Sequence, residues 1–334
     1  MAIKVNYNPA WLSWVASTTT CLRYHGLNVD EVDVAGHSGY AFRMVVARDV
    51  CPSGPTCFNW QELNIGIQNL GRSTRSEIGL WNDKDPAQAE LLEAGRRDLL
   101  AFVRKEISAG RPCVIWGTYV PEFGVVTGVE NDSYVVSTFR EMTGEEQPPI
   151  PWNELHDLGD VYGLSFPHET RMDSQLRDTL ALENAARLLN TADMHGNHRI
   201  NDGAYDNWIS ALLDNTANSF GNAYNASCWA EQKQLASDFL YRLARRMPDA
   251  AGNLEEAAGH MHEVQAYMQQ VAELFPFPAG SAVETEEGRR EGVRLLELAQ
   301  QREVSVALAV AHAAREQNAA MLERAAAADA ANAS

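Results

Sequence analysis

No stretch of this sequence is apolar for long enough to cross a bilayer; a spanning helix needs about 20 such residues. The N-terminus, MAIKVNYNPAW, has no apolar core of the kind that marks a signal peptide. The expected compartment is therefore the cytoplasm. Cysteine is scarce and odd in number: Cys21, Cys51, Cys57, Cys113 and Cys228. That is the usage of reduced thiols rather than of a disulfide framework. Cys51 and Cys57 flank a Pro-Ser-Gly-Pro turn that would allow a bridge, but the expected compartment argues against one. Positive charge is short as well. Lys and Arg number 27 against 45 Asp and Glu, a net charge of −18, which repels phosphate backbones and anionic lipid. Neither nucleic acid nor a membrane surface is expected as a partner. The phosphate-cradling GxxxxGK[ST] loop and a GxGxxG opening a helix are both missing, so those nucleotide sites are excluded. GxSxG is missing too, which removes the simplest esterase.

What is present is a globular profile, with 45% apolar and 22% charged residues over 334 positions, room for two domains. A helical pattern covers about 10–25. A second runs over about 86–109, with Pro86 in its first turn, Gly110 at its end, and Leu91, Leu92, Leu99, Leu100, Phe102 and Val103 at helical spacing. The period then changes to that of strands at 114–116, 124–129 and 134–136, with the turn signal Asn131-Asp132 between the last two. A last strand is expected at 161–166 (VYGLSF). From about 172 onward strand signal fades and proline is reduced to Pro248, Pro276 and Pro278. Helices are expected near 172–191, 204–216, 222–247, 253–275 and 284–327. The last opens on a capping box, Ser281 with Glu284. It carries Val293, Leu296, Val304 and Leu308 on one side and frays into an alanine-rich tail. The expected fold class is α+β, with a domain over 1–167 and an all-α helical domain over 168–334.

The order of elements in the first half matters most. Residues 11–26 (WLSWVASTTTCLRYHG) read as a buried helix ending at a glycine, and 111–138 (RPCVIWGTYVPEFGVVTGVENDSYVVST) as a hairpin far downstream. A thiol hydrolase of the papain type carries its nucleophile on such a helix and its base on such a hairpin. A nucleophile at a helix start gains from the positive end of the dipole. Asn8-Pro9 could itself cap the helix, which would push Ser13 past the first turn and weaken that effect. Ser17, Thr18, Thr19 and Thr20 are poor helix formers, so this helix must depend on packing. Between helix and hairpin, 29–34 (VDEVDV) leads into an expected glycine-flanked loop, 35–42 (AGHSGYAF).

The segment LSWVASTTTCLRYHGLNVDEVDVAGHSGYAF resembles the N-terminal domain of butirosin biosynthesis protein H and its relatives, a papain-like, bacteriocin-leader peptidase type of fold. The segment GRPCVIWGTYVPEFGVVTGVENDSYVV is similar to that family's hairpin. The resemblance covers about residues 10–165. It implies a nucleophile at Ser13, a base at Glu122 and a base-orienting group at Ser137, where the family carries cysteine, histidine and aspartate. All three depart from the family. Thiol catalysis needs an imidazole beside a thiol, and a serine hydroxyl needs a base even more, so the catalytic set Ser13, Glu122 and Ser137 is not expected to be competent.

Cys21 and Cys113 read as core thiols. Trp11 and Trp14 flank Ser13, and Trp116 lies on the first hairpin strand. These read either as core or, with Phe123, as the wall of an aromatic pocket. Glu122 in such a pocket would suit an amine-bearing ligand. A glycine-flanked loop can present His37 and Gly39 to a cleft, against the plainer reading of a structural histidine. His195 and His198 fall in an expected loop rich in Gly, Asn and Asp, and His260 with His262 has an i, i+2 spacing that splays the rings, so no metal and no cofactor is expected. Three function classes follow. The first is a catalytically degenerate papain-like protein binding a small molecule or peptide in an aromatic-lined cleft. The second is an acyltransferase or amide hydrolase of the butirosin-protein type using Ser13. The third is an interaction scaffold whose helical half is the working part. Whichever class holds, the helical domain is expected either to pack over the cleft or to make a homodimer.

Overall fold

The computed structural model of the chain describes residues 3–57, 59–191, 194–278 and 281–332. In chain order it forms α1 (Ser13–Tyr24), α2 (Glu31–Ser38), β1 (Val45–Ala47), α3 (Trp60–Gln68), β2 (Arg75–Leu80) and α4 (Ala89–Ser108). Then come β3 (Cys113–Ile115), β4 (Gly124–Glu130), β5 (Ser133–Ser137), α5 (Arg140–Thr143), β6 (Ile150–Pro151) and β7 (Asp160–Ser165). The rest is α6 (Ser174–Leu189), β8 (Met194–His195), β9 (His198–Ile200), α7 (Asp202–Leu213), α8 (Ser219–Arg246), α9 (Ala251–Leu274) and α10 (Glu286–Asn332). The class is α+β with a helical C-terminal part. Two compact units are formed, one from 1–34 and 67–171, the other from 35–66 and 172–334. Among the described residues no helix is long and apolar enough to cross a membrane.

The first unit is built on a six-stranded antiparallel sheet, ordered β2-β7-β3-β4-β5-β6. A 3-10 turn, Pro86–Gln88, leads into α4; the Asp85 side chain caps it by accepting from Ala87 N, with Pro86 at its first position. Its buried face, Leu92, Leu99, Leu100, Phe102 and Val103, packs on Cys113, Ile115, Val126, Tyr134, Val136 and Val161 of the sheet. Gly163 on β7 lets α4 lie this close: a Cβ there would sit 2.6 Å from Leu99 Cδ1. α1 packs on β3 and β4 and is buried from Ser13 to Leu22, leaving Arg23 and Tyr24 exposed at its end. Four successive hydroxyl residues lie inside it. Thr20 returns its hydroxyl to Ala16 O at 2.8 Å, whereas those of Ser17, Thr18 and Thr19 meet no partner among the described residues. Tertiary burial therefore holds a helix that propensity alone would not.

The second unit combines α6 to α10 with a three-stranded antiparallel sheet, β1-β9-β8. The seam of α10 follows alternating steps of three and four: Leu296, Ala299, Glu303, Val306, Val310, Ala313 and Gln317 are all buried. At its centre Lys233 Nζ meets Glu303 Oε1 at 2.6 Å, and Tyr205 donates its hydroxyl to Glu303 Oε2 at 2.5 Å.

Several expectations need correction. Residues 35–42 are not a loop: α2 runs through Ser38, and a 3-10 turn, Tyr40–Phe42, follows Gly39. The region around His195 and His198, read as a loop, forms β8 and β9. The side α10 buries includes Val293 and Leu296 but not Val304 and Leu308, which are 51% and 59% exposed. Beside Leu296, Val306 and Val310 the buried seam carries Ala299, Ala313, the paired Glu303 and Gln317, which hydropathy does not flag. The alanine-rich tail continues α10 as far as Asn332, in keeping with the helix propensity of alanine.

Candidate functional site

The first unit brings Ser13 and Glu122 together across 109 residues of sequence. α1 begins at Ser13 itself, with Leu12 as an N-cap that offers no side-chain hydrogen bond. Asn8-Pro9 therefore does not start the helix, and Ser13 lies in the first turn, where the dipole acts most strongly. Glu122 comes from the tight loop between β3 and β4. Gly117 N and Thr118 N donate to Glu122 O at 3.0 and 3.2 Å, and the Thr118 hydroxyl donates to the same oxygen at 3.1 Å. Gly117 adopts φ +77°, and a Cβ there would meet the Asp157 backbone at 2.7 Å, so only glycine fits. With the loop fixed, Ser13 Oγ donates to Glu122 Oε2 and accepts from Phe123 N at 3.2 Å. Ser13 is buried and Glu122 half-buried.

The hydroxyl is thus held at both ends. Its single proton is directed at a carboxylate, and its oxygen receives a backbone N–H. Ser137 lies on β5, opposite Val125 of β4. His25 caps the C-terminal end of α1, twelve residues beyond Ser13, roughly 18 Å along the helix axis. Burial, then the charges of Arg72 and Arg111, push its pKa down to about 4 against an opposing pull from Glu106. Its Nδ1 lies 3.3 Å from Arg72 Nη2. Cys21 and Cys113 are free and fully buried, and burial pushes both thiols well above the usual range. They are core residues.

The aromatic candidates form a chain of buried contacts. Trp116 lies 4.8 Å from Phe123 between ring centroids, and Phe123 lies 5.8 Å from Tyr162 in an edge-on arrangement. Trp14 Nε1 points at the Tyr162 hydroxyl at 3.4 Å, and Trp116 Nε1 donates to Asp157 O at 3.0 Å. Trp14, Trp116 and Phe123 are buried, and Trp11 is half-buried. These rings satisfy one another as core aromatics do.

His37 and Gly39 belong to the second unit. His37 is 2% exposed in the last turn of α2, its ring 5.1 Å from that of Phe239. Burial, then the charges of Arg177 and Arg246, push its pKa down to about 3, so it is a neutral core histidine near pH 7. Its Nε2 lies 3.7 Å from Asp178 Oδ1. Gly39 ends α2 with φ +83°, and a Cβ there would strike Leu188 Cδ1 at 2.5 Å. Both residues serve packing.

Of the other histidines, His260 lies 3.7 Å from Glu256 and 3.9 Å from Glu263, and His262 Nδ1 is 3.1 Å from Gln265 Oε1. The His195 side chain lies outside the described residues. No group of three or more His, Cys, Asp and Glu side chains among the described residues is placed to hold a metal ion. One contact that the sequence did not pair joins Ser53 to His198, 145 residues apart. A nucleophile-type hydroxyl followed by a distant histidine is too common a pattern to be read without the fold. No protein-family model matches this sequence, and no curated protein matches it.

Proposed function

We propose that the first unit is a papain-like domain of the butirosin biosynthesis protein H type in which the reacting trio has been replaced, and that it binds a small molecule or peptide without turning it over. The observation that carries this reading is the Ser13 hydroxyl, in the first turn of α1, donating to Glu122 of the hairpin loop. A helix-borne nucleophile position meeting a hairpin-borne base position is the arrangement that the order of elements implies for this family. The chemistry at those positions differs from the family's. Efficient general acid–base catalysis needs a group titrating near the working pH. Carboxyl groups ordinarily titrate near ~4.3, and a carboxylate cannot return a proton to a leaving group as an imidazolium does. The half-buried Glu122 carboxylate instead suits an amine, as an ion pair with partial shielding from solvent. The expected result is a rise in melting temperature with amine-bearing small molecules or N-terminal peptides. That rise should vanish in Glu122→Gln and persist in Ser13→Ala. Equal shifts in wild type and Glu122→Gln would reject the reading.

A second reading has a specific observation in its favour. The Phe123 N–H donates to Ser13 Oγ in the first turn of α1, where N–H and dipole both favour negative charge on that oxygen, as an activated nucleophile requires. On that reading Ser13 is the nucleophile of an acyltransferase or amide hydrolase, with Glu122 as its base. Mass spectrometry after treatment with a fluorophosphonate separates the two readings. No adduct at Ser13 is expected, and a stoichiometric adduct there would establish the enzyme instead.

A further inference from the structure

The second unit holds a contact that neither reading uses. Ala47 on β1 is paired with His198 on β9, and directly opposed residues of an antiparallel pair share one face. Beyond Ala47 the chain turns back sharply. Val50 is buried at φ +54°, a conformation that β-branched residues rarely adopt and that persists only where the surroundings enforce it. The enforcement is visible. Asn218 N donates to Asp49 O and Asn225 Nδ2 to Cys51 O, each at 2.9 Å, and the Tyr40 hydroxyl donates to Pro55 O at 2.5 Å. Gly221 lies so close that a Cβ would sit 2.1 Å from Val50 O. The turn thus delivers Ser53 and Cys51 to His198. Ser53 Oγ is 2.8 Å from His198 Nε2, and Cys51 Sγ is 2.7 Å from Ser53 Oγ. All three residues are half-buried.

The proton order in this row follows from valence. Ser53 has one hydroxyl proton. When His198 Nε2 carries a lone pair, the hydroxyl donates to it, and the sulfur proton then faces Ser53 Oγ. Thiols ordinarily titrate near ~8.5, and serine hydroxyls far higher. A proton drawn to the imidazole therefore leaves the negative charge on sulfur, not on oxygen. We propose that Cys51 is a nucleophilic thiol activated by His198 through the Ser53 hydroxyl, and that it is the site in this chain that takes up low-molecular-weight disulfides.

The step balances without any other oxidant. Cys51 passes its proton to Ser53 as Ser53 passes its own to His198. The thiolate attacks one sulfur of R–S–S–R, the S–S bond breaks, and a new bond forms to Cys51 Sγ. The departing R–S⁻ takes the proton from His198 and leaves as a thiol. Cys51 is oxidised to the mixed disulfide and the departing half is reduced. Cys21, Cys113 and Cys228 are buried. Cys57 is half-buried in the same loop, but its sulfur has no hydroxyl or imidazole partner among the described residues, which makes it an internal control.

The test uses the full chain and limiting hydroxyethyl disulfide at neutral pH, with acid quenching and mass mapping of each cysteine. Cys51 should react at least about tenfold faster than Cys57. Ser53→Ala and His198→Gln should each slow Cys51 toward the Cys57 rate while leaving Cys57 unchanged. Ser53→Thr, which keeps the hydroxyl, should retain most of the wild-type rate even if one of the other variants folds poorly. Equal rates at Cys51 and Cys57 in wild type, or an undiminished Cys51 rate in Ser53→Ala, would overturn the proposal.

Discussion

Ser13 and Ser53 are two hydroxyls in two units, and each stands in a short contact with a titratable side chain. Ser13 points its proton at Glu122 and receives Phe123 N–H. Ser53 stands between a thiol and an imidazole. Position alone favours the first, which lies in the opening turn of a twelve-residue helix. Chemistry favours the second, because only an imidazole both accepts and returns a proton near neutral pH. The partner of a hydroxyl, more than the dipole beneath it, decides what the hydroxyl can do.

The comparison can be broken most forcefully by converting the first arrangement into the second. In Ser13→Cys alone, the carboxylate of Glu122 disfavours a thiolate, and alkylation of the introduced thiol by iodoacetamide should be slow. Adding Glu122→His should raise that rate by on the order of a hundredfold. A single variant already as reactive as Cys51 would show that the partner matters less than the helix. Quantitative mass spectrometry of the modified peptide gives both rates.

The next effect separates the units by acidity. His37 in the second unit is held neutral, with its pKa pushed down to about 3, mainly by burial. The unfolded chain takes up that proton near the ordinary ~6.5. The stabilisation is therefore complete above ~6.5 and is lost progressively as pH falls toward 3, by about 2 kcal/mol at pH 5. Asp160, on β7 of the first unit, has the opposite sign. Burial first, then Asp157 and Asp83, push its pKa up to about 6. Its contribution is complete below the ordinary carboxyl pKa and is lost as pH rises through 6, so acidification from pH 7 to pH 5 favours the fold there. Hydrogen exchange at pH 7 and pH 5, corrected for intrinsic rates, should show α2 losing protection relative to β7. In His37→Gln that difference should shrink.

Much of this architecture was legible because its elements are long and well punctuated. Asp85-Pro86 opens the 3-10 turn that leads into α4 at Ala89, α4 ends before Gly110, and the helices from α6 to α10 follow their expected spans closely. β3, β4 and β5 announce themselves by the change of period and by Asn131-Asp132, both of which adopt positive φ. What stayed hidden is short. β1, β8 and β9 are two or three residues each, too few for any alternation to register. β2, RSEIGL, alternates in burial, but its exposed face carries Ile78 and Leu80. Residues 35–66 group with the C-terminal helices, and no change of composition marks that return. The meeting of Ser13 and Glu122 was expected only from the resemblance of the two segments that carry them. That of Ser53 and His198 depends on a three-residue strand pairing and on the strained turn at Val50, neither of which leaves a trace in composition.

The smallest effects test whether α1 has a hydroxyl site at all or merely a run of tolerated hydroxyls. Ser13→Ala removes the acceptor of Phe123 N–H and the donor to Glu122, and should cost about 1 kcal/mol or slightly more. Thr18 is on the same helix and also buried, but its hydroxyl meets no partner among the described residues. Thr18→Val keeps the branched shape, and with it the rotamer restriction that helices impose, while removing an unpaired polar atom from the interior. It should be neutral or should stabilise by up to about 1 kcal/mol. Urea titrations of the two variants should therefore move in opposite directions. If both destabilise equally, the buried hydroxyls of α1 act as a set, through partners that the fold satisfies in solution, and Ser13 loses its claim to be distinguished from its neighbours by Glu122.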